Sequence, residues 1–332
     1  MRGGQRVAIT GLGAVTTVMT GGADTLAAFL AREAVADPAD SERIDRTLAG
    51  LIDPGAARRL SRVSQLTMAA ARLALDDAGR PVDGIGLVVG TEFGDQRSTI
   101  AFADGYLGRG PTGLSPLLFP NTVMNTMAAA TTIALTAREC SLTIVVPTVA
   151  GELAVARAAA FVASGYVPAA LAGGVDERDP IVAAVLHEAH GDFAPRGEGA
   201  AFLVLEPLAA AQARGARILG EIRAAVSASL AAAPYGVGRA TQSRVLTRAL
   251  ADAGVTAGEL RALYTGESGD ARRDAWEATL LAAAPDPRRI AMARRFGQTS
   301  ALGPLKIAAA ASAGPSLVYG LARGGSEVAV VV

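Results

Sequence analysis

Short apolar runs alternate along this chain with longer segments in which apolar residues recur at helical spacing. The short runs predict buried strands, and the longer segments predict helices. The opening residues Val7, Ala8 and Ile9 predict a strand that ends in a turn at Gly11 and Gly13. The further predicted strands are 85–89, 142–146, 169–173 and 200–205, and the predicted helices are 64–77, 126–136 and 151–163. This alternation indicates an α/β protein with a mainly parallel sheet covered on both faces.

An internal repeat supports two similar halves. The pattern Ala-Leu-x-Asp-Ala-Gly occurs at 74–79 and again at 249–254, an offset of 175 residues. Each copy predicts the end of a helix, and each precedes a strand, at 85–89 and 260–264. A glycine-rich turn follows each strand. The chain is therefore predicted to contain a duplicated α/β unit.

Composition excludes several classes of function. The 332 residues carry a formal net charge of +0, which gives no basic excess for nucleic acid or a membrane surface. The only cysteine is Cys140, so neither a disulfide within the chain nor a multi-cysteine metal site can form. No apolar run approaches the ~20 residues of a membrane span. We therefore expect a cytoplasmic protein without a metal or cofactor.

Several segments together resemble the ketosynthases, the condensing enzymes of fatty-acid and polyketide synthesis. They are residues 7–16, 114–123, 170–176, 197–201 and 213–220. The resemblance covers almost the whole chain and implies a thiolase-like fold with α-β-α-β-α layers. It places an N-terminal half at 1–210 and a C-terminal half at 211–332 of one compact unit. Loops near 36–60, 178–195 and 228–240 are shorter than is usual in that family.

The resemblance also locates four groups that the family's chemistry needs. Thr148 stands where the family has its nucleophilic cysteine, and Gly266 stands in place of the first histidine. Ala293, or Arg294 if the register slips by one, replaces the lysine, and Gln298 replaces the second histidine. Asp274 and Glu277 keep the family's spacing, and Arg323 replaces a gating phenylalanine. We expect no lysine near this site, because Lys306 is the only one and falls outside these positions.

Loss of all four groups predicts that this chain does not catalyse condensation, since a threonine hydroxyl needs an adjacent base. The resemblance is closest to chain-length factors, which are non-catalytic partners of a cysteine-containing ketosynthase in type II polyketide systems. They reach the acyl carrier protein through that complex. The implied tunnel and interface residues are Phe119, Asn121, Met124, Thr126, Met127, Leu142, Ile144 and Val146. Residues 142–146 carry no charge, so an unpaired strand there favours a permanent partner.

Two other functions stay open. The chain could be a stand-alone decarboxylase or acyltransferase, or a homodimeric acyl-binding scaffold. Single residues also have plainer interpretations than the functional ones: Thr148 as a polar turn residue, Met124 and Met127 as core, and Cys140 as a buried apolar residue. His187 and His190 lack a carboxylate motif for a metal. Arg288, Arg289, Arg294 and Arg295 form either a carrier-protein surface or a solvated basic face. Residues 11–14 lack the third glycine of a dinucleotide fingerprint.

Overall fold

The computed structural model describes residues 4–32, 41–190, 196–284 and 288–332. Its strands, numbered in chain order, are β1 Val7–Thr16, β2 Thr20–Gly21, β3 Ile85–Thr91, β4 Ser141–Val145, β5 Ala169–Asp176, β6 Gly199–Pro207, β7 Gly220–Ile222, β8 Ala224–Ser229, β9 Ala262–Thr265, β10 Arg288–Ala291, β11 Ser316–Leu321 and β12 Ser326–Val331. Its α-helices are α1 Ala23–Leu30, α2 Ser41–Leu51, α3 Pro54–Ala57, α4 Arg62–Ala78, α5 Gln96–Arg109, α6 Thr126–Leu135, α7 Ala150–Ala163, α8 Pro180–His190, α9 Leu208–Ala213, α10 Arg244–Ala253, α11 Ala271–Leu280, α12 Ala293–Phe296 and α13 Leu302–Ala311.

Two sheets repeat one topology. Five neighbouring strands of the first sheet run in the order β4-β3-β5-β6-β1, and the second sheet runs β10-β9-β11-β12-β8. The first two pairings of each series are parallel and the next two are antiparallel. Because order and direction agree strand for strand, the structure confirms the duplicated α/β unit.

The sequence repeat marks equivalent helix ends in the two halves. Gly79 ends α4 and Gly254 ends α10, both in the left-handed conformation that glycine adopts without steric cost. The turns after β3 and β9 each supply an aspartate as N-cap: Asp95 accepts from Ser98 N, and Asp270 accepts from Arg273 N. These aspartates are also 175 residues apart. The repeat therefore encodes the stop of one helix and the start of the next.

Helices α7 and α13 form the middle layer of the molecule. They pack against each other and contact strands of both sheets, while α4 and α6 cover the outer face of the first sheet, and α10 packs on β8 and β12 of the second. The central apolar cluster accordingly joins Val88 and Ala172 of the first sheet to Val318 and Val328 of the second through α7 and α13. This is the expected α-β-α-β-α arrangement.

Two predictions about the strands were wrong. Gly11 and Gly13 do not end β1 in a turn but lie within it, because their missing side chains let α4 approach closely. A Cβ on Gly13 would stand 2.1 Å from Ala74 N and 2.2 Å from Ala70 O. The sheets are also mixed rather than mainly parallel, since β6 runs antiparallel to both β5 and β1.

Strand β4 is an outer strand of the first sheet. It pairs with β3 on one side, and no described strand pairs with its other edge. The division of the chain at residue 210 stays a prediction; β7, which lies beyond it, pairs with β1. Among the described residues, no helix is both long and apolar enough to cross a membrane.

Candidate functional site

Thr148 lies in the turn that joins β4 to the middle-layer helix α7. Its backbone has φ +59°, a conformation that is strained for a β-branched residue. The turn is closed by Val149 N, which donates to Pro147 O at 2.7 Å. The Thr148 hydroxyl is shielded from solvent and has no hydrogen-bond partner among the described residues. The strand-turn-helix geometry that presents a side chain at residue 148 is therefore kept, although no thiol stands there.

One inner cavity brings together all four positions singled out in the sequence. Thr148, Gly266, Ala293 and Gln298 all line it. The cavity measures about 20 Å³, room for little more than one water molecule. Among the described residues that line it there is no cysteine and no histidine.

The space beside Gly266 is filled by Arg273, a residue that the sequence analysis missed. A Cβ on Gly266 would stand 2.9 Å from Arg273 Nη1 and 3.3 Å from Glu277 Oε2. The guanidinium is 3% exposed; it contacts Glu277 Oε2 at 2.7 Å, donates to Leu321 O at 2.9 Å and also pairs with Asp274. Burial lowers the pKa of Arg273, but Glu277 and Asp274 outweigh it and leave the pKa raised. The arginine is therefore a fixed cation where a histidine side chain would project.

The two acids that keep the family spacing hold the turn after β9. Glu277 Oε1 accepts from Gly266 N at 2.7 Å, and Asp274 Oδ2 accepts from Gly269 N at 2.7 Å. Both carboxylates also contact Arg273. Their spacing is thus explained by backbone support of the turn.

Ala293 and Arg294, the two candidates for the lysine position, are placed differently. Ala293 is buried and lines the cavity, whereas the Arg294 side chain is 73% exposed and points towards Glu267. Gln298 is buried and lines both the inner cavity and the outer cavity described below.

The expectation of no lysine near the site was wrong. Lys306 on α13 lines the inner cavity, and its Nζ stands 2.5 Å from Glu152 Oε1 on α7. Both side chains are almost fully buried, and Glu152 Oε2 has no hydrogen-bond partner among the described residues. The sequence signal was present, since Glu152 and Arg157 are the only charged residues of α7, and Lys306 is the only charged residue of α13.

A second ion pair stands at the mouth of the site. The outer cavity, about 40 Å³, is lined by Thr148, Gln298, Tyr235, Asp270 and Arg323, among others. Arg323 binds Asp270 through two hydrogen bonds, of 2.6 and 2.8 Å, and donates to Tyr235 O at 3.1 Å. Burial raises the pKa of Asp270, but the hydrogen bond from Arg323 more than offsets this and leaves the pKa lowered. Arg323 therefore ties its own loop to the cap of α11 and to the segment around Tyr235.

A buried carboxylate supports the start of α5. Glu177, just after β5, accepts from Arg97 N at 2.9 Å in the first turn of that helix, beside the N-cap Asp95. Burial raises the pKa of Glu177 to about 7, although the hydrogen bond from Arg97 N opposes this shift. Asp95 and Glu198 raise it further. Glu177 therefore titrates near neutral pH.

The predicted tunnel residues differ in exposure. Phe119 and Met124 are 58% and 42% exposed, Asn121 and Thr126 are half-buried, and Met127 is fully buried in the core. Met124 also reaches inwards, since a Cβ on Gly94 would stand 2.7 Å from its Sδ.

Exposed apolar side chains continue from α5 to β4 through elements that contact one another. We name this the α5–β4 surface, formed by Tyr106, Leu107, Leu114, Leu117, Phe119, Val123, Met124, Ile133 and Val145. Exposed apolar side chains on neighbouring elements favour a protein–protein contact.

The predicted strand residues Leu142 and Ile144 lie on the face of β4 that looks towards α7. They are half-buried, as is Val146, which follows the strand and donates from its backbone to Thr91 O. The open edge of β4 thus borders both a groove beside α7 and the α5–β4 surface.

The remaining candidates lie outside the inner cavity. His187 is exposed on α8, and the side chain of His190 lies outside the described residues. Cys140 is partly buried, which raises the pKa of its thiol. Arg288, Arg289 and Arg294 are exposed, whereas Arg295 is fixed by the carbonyls of Phe29 and Leu30. No group of three or more metal-ligating side chains is found in the part of the chain that the structure describes.

Comparison with known proteins assigns the family. The model of the beta-ketoacyl synthase N-terminal domain matches residues 39–211, and the chain belongs to the beta-ketoacyl synthase family. It is 28% identical over 265 residues to 3-oxoacyl-[acyl-carrier-protein] synthase 2 of Synechocystis sp., which covers 66% of this chain and 61% of that protein. It is 29% identical over 233 residues to the protein of the same name from Staphylococcus aureus, covering 61% of this chain and 57% of the relative. The chain thus matches about three fifths of the length of these curated relatives.

Solved structures agree with the thiolase-like fold over nearly the whole chain. The ishigamide ketosynthase/chain length factor superimposes with a TM-score of 0.81 at 23% identity, covering 99% of this chain and 98% of that one. A beta-ketoacyl synthase from Burkholderia phymatum STM815 gives 0.79 at 21% identity, with 98% of each chain covered. A type II PKS acyl-carrier protein in complex with its ketosynthase gives 0.76 at 19%, with 99% of each covered. At these sequence identities, the similarity to the solved structures is evidence for the fold alone.

Proposed function

We propose that this chain is a non-catalytic, chain-length-factor-like subunit that pairs with a cysteine-containing ketosynthase in type II polyketide biosynthesis. The observation that carries the proposal is the filled inner cavity. Arg273 takes the space beside Gly266, and the Lys306–Glu152 pair lines the same cavity as Thr148. A cavity of about 20 Å³ has no room for an acyl group. The relatives named as synthases favour an enzyme, but Arg273 and the Lys306–Glu152 pair line the cavity in which the resemblance places the groups needed for condensation.

The proposed contact with the ketosynthase uses β4 and the α5–β4 surface. An open strand edge offers unpaired backbone groups, and the exposed apolar side chains beside it favour burial in a stable interface. Chain growth then takes place on the partner, which also receives the acyl carrier protein. Phe119 and Met124 are proposed to border the partner's growing chain, with Asn121, Thr126 and Met127 behind them.

Two measurements test the proposal. The pure protein, supplied with malonyl- and acyl-carrier substrates, is expected to form no condensed product and to release no carbon dioxide. Co-expressed with a panel of cysteine-containing ketosynthases, it is expected to co-purify with one as a 1:1 complex that has activity. Turnover by the pure protein that a Thr148→Ala change abolishes would instead establish a stand-alone enzyme.

Product length tests the tunnel part of the proposal. In an active complex, Met124→Trp is expected to shorten the main product and Met124→Ala to lengthen it, as read by mass spectrometry. Ile181→Trp is the control, because Ile181 is 56% exposed on α8 and not part of the α5–β4 surface. An unchanged product distribution in both Met124 variants would remove this residue from the tunnel.

A further inference from the structure

A groove lies between the open edges of the two sheets. Strand β4 is an outer strand of the first sheet and β8 of the second, and α7 forms the floor between them. We name this the β4–β8 groove, lined by Leu142, Ile144, Leu153, Ala156, Arg157, Ala160, Ala225 and Ser227. Its volume is about 470 Å³. The groove borders the edge of β4 that the proposed function assigns to the partner.

Arg157 is the one charged residue in this lining. It lies near the middle of α7 and is exposed, and it makes no ion pair or side-chain hydrogen bond with any described residue. The other long side chains of the groove are aliphatic. A cation in such surroundings is poorly compensated once a second surface excludes water from the groove.

Symmetry determines what Arg157 meets in each kind of dimer. Two identical copies that pair antiparallel through β4 are related by a two-fold axis perpendicular to the sheet. Both copies of α7 then lie on the same face of the joined sheet, and the two grooves merge. Each Arg157 lines its own copy of the groove near the middle of α7, so the two like charges lie on the same face of the joined sheet, beside the shared edge. Like-charge contact across an interface is strongly unfavourable.

We infer that Arg157 selects against pairing of two identical copies and favours a partner that carries a carboxylate at the facing position. This inference rests on the proposed function, because it uses β4 as the contact strand. It adds the chemistry of the partner: an apolar counterpart to Leu142 and Ile144 with one acidic side chain opposite Arg157. An Arg–carboxylate pair enclosed by apolar residues gives both orientation and selectivity.

The test supplies that carboxylate in a second copy of the chain. Wild type, Arg157→Ala and Arg157→Glu are each measured by sedimentation equilibrium in low salt, alone and as an equimolar mixture of wild type with Arg157→Glu. We expect Arg157→Ala to self-associate at least about tenfold more tightly than wild type. We expect the mixture to form a 1:1 dimer more tightly than either component alone. Raising the salt concentration should strengthen self-association of wild type and leave that of Arg157→Ala little changed.

Two further variants make the result decisive. Arg72→Ala is the matched control, since Arg72 is exposed in the middle of α4, away from the groove; it should associate as wild type does. Val145→Asp, added to Arg157→Ala, places a charge in any β4 contact without altering the groove lining and should return the protein to monomer. Thermal melts confirm that all variants are folded.

The outcomes distinguish the role of Arg157 from the proposed pairing with a ketosynthase. Equal association of wild type and Arg157→Ala, with Val145→Asp still disruptive, would overturn the role of Arg157 and leave β4 as the contact. Monomers in every variant and mixture would overturn the inference, because neither loss of the Arg157 charge nor an opposing carboxylate would then promote association. The proposed function fails separately, if no ketosynthase co-purifies with the chain.

Discussion

Arg273 occupies the space into which any side chain at residue 266 would project. Its Nη1 stands 2.9 Å from the position of a Cβ on Gly266, and the guanidinium is held there by Glu277 and Asp274. The resemblance to ketosynthases implies a histidine at this position, and in this chain the room for such a side chain is taken. Restoring the missing groups one by one would require this arginine to move out of two buried ion contacts.

Gly266→Ala tests this packing. The added methyl must displace the Arg273 guanidinium, so we expect a loss of about 1–3 kcal/mol in the free energy of unfolding, measured by urea denaturation. Gly258→Ala is the matched control, because no atom lies within 4 Å of its Cβ position. The control should stay within about 0.5 kcal/mol of wild type. Equal stability of the two variants would contradict the filled space beside Gly266.

Thr148→Gly is expected to stabilise the fold by about 1 kcal/mol, because glycine relieves the strain of φ +59° at a β-branched residue. Thr122→Gly, at a position without positive φ, should lose stability instead. Chemical denaturation of both variants measures the difference. A destabilised Thr148→Gly protein would indicate that the threonine side chain contributes more than its backbone costs.

The Glu152–Lys306 pair is expected to behave as a buried, coupled pair. Glu152→Gln and Lys306→Met should each cost about 3 kcal/mol or more, because each leaves its partner's charge uncompensated in the core. The double variant should lose clearly less free energy of unfolding than the two single variants lose in sum. The exposed Asp24–Arg217 pair gives the control cycle, and its coupling should be weak, because solvent screens the two charges. Additive costs at the buried pair would show that the two charges do not stabilise each other.

Glu177 makes stability depend on pH. The folded protein keeps the Glu177 proton up to about pH 7, whereas the unfolded chain releases it near 4.5. Between these values the folded state binds more protons, so this residue's contribution to stability falls as pH rises, by on the order of 3 kcal/mol. Glu177→Gln keeps an acceptor for Arg97 N and should remove this decline.

Melting temperatures from pH 5 to pH 8 check that expectation. The difference between Glu177→Gln and wild type should grow as the pH rises. Glu188→Gln, at an exposed carboxylate on α8, should follow wild type throughout. A constant difference for Glu177→Gln would mean that the carboxylate is already ionised at the lower pH.

Substitutions at Met124 and at Met127 should differ in their effect on the free energy of unfolding. Met127→Ala removes a fully buried side chain and is expected to cost about 2–5 kcal/mol. Met124→Ala removes a side chain that is 42% exposed and should cost about 1 kcal/mol or less. Similar losses in the free energy of unfolding, measured by chemical denaturation, would show that Met124 is buried in the isolated chain.

Much of the fold could be predicted because the signals are local. Apolar runs correctly predicted β3, β4, β5 and β6. The repeated segment that ends in a glycine predicted the duplication, which the strand order confirms. Gly11 and Gly13 were misassigned because a close helix–strand approach is a tertiary property. In sequence, a glycine that admits α4 and a glycine that makes a turn have the same appearance.

The candidate site could be predicted only for the positions at which family residues are missing. These positions were found because residues typical of ketosynthases are absent from them. They are Thr148, Gly266, Ala293 and Gln298, and all four line one cavity. The residues that fill it are Arg273 and Lys306. Arg273 pairs with Asp274 and Glu277 on its own helix, whereas Lys306 pairs with Glu152, which is far away in the sequence. That these side chains reach the cavity depends on how α11, α7 and α13 pack, so only the folded structure shows it.

The burial of Lys306 has a practical consequence. It is the chain's only lysine, and its ammonium is enclosed between α7 and α13. In the native protein, the ε-amine therefore becomes reactive towards amine-directed reagents only when the middle layer opens. The rate at which Lys306 is acylated therefore measures how often the core opens. It can be followed by intact-mass spectrometry without any introduced probe.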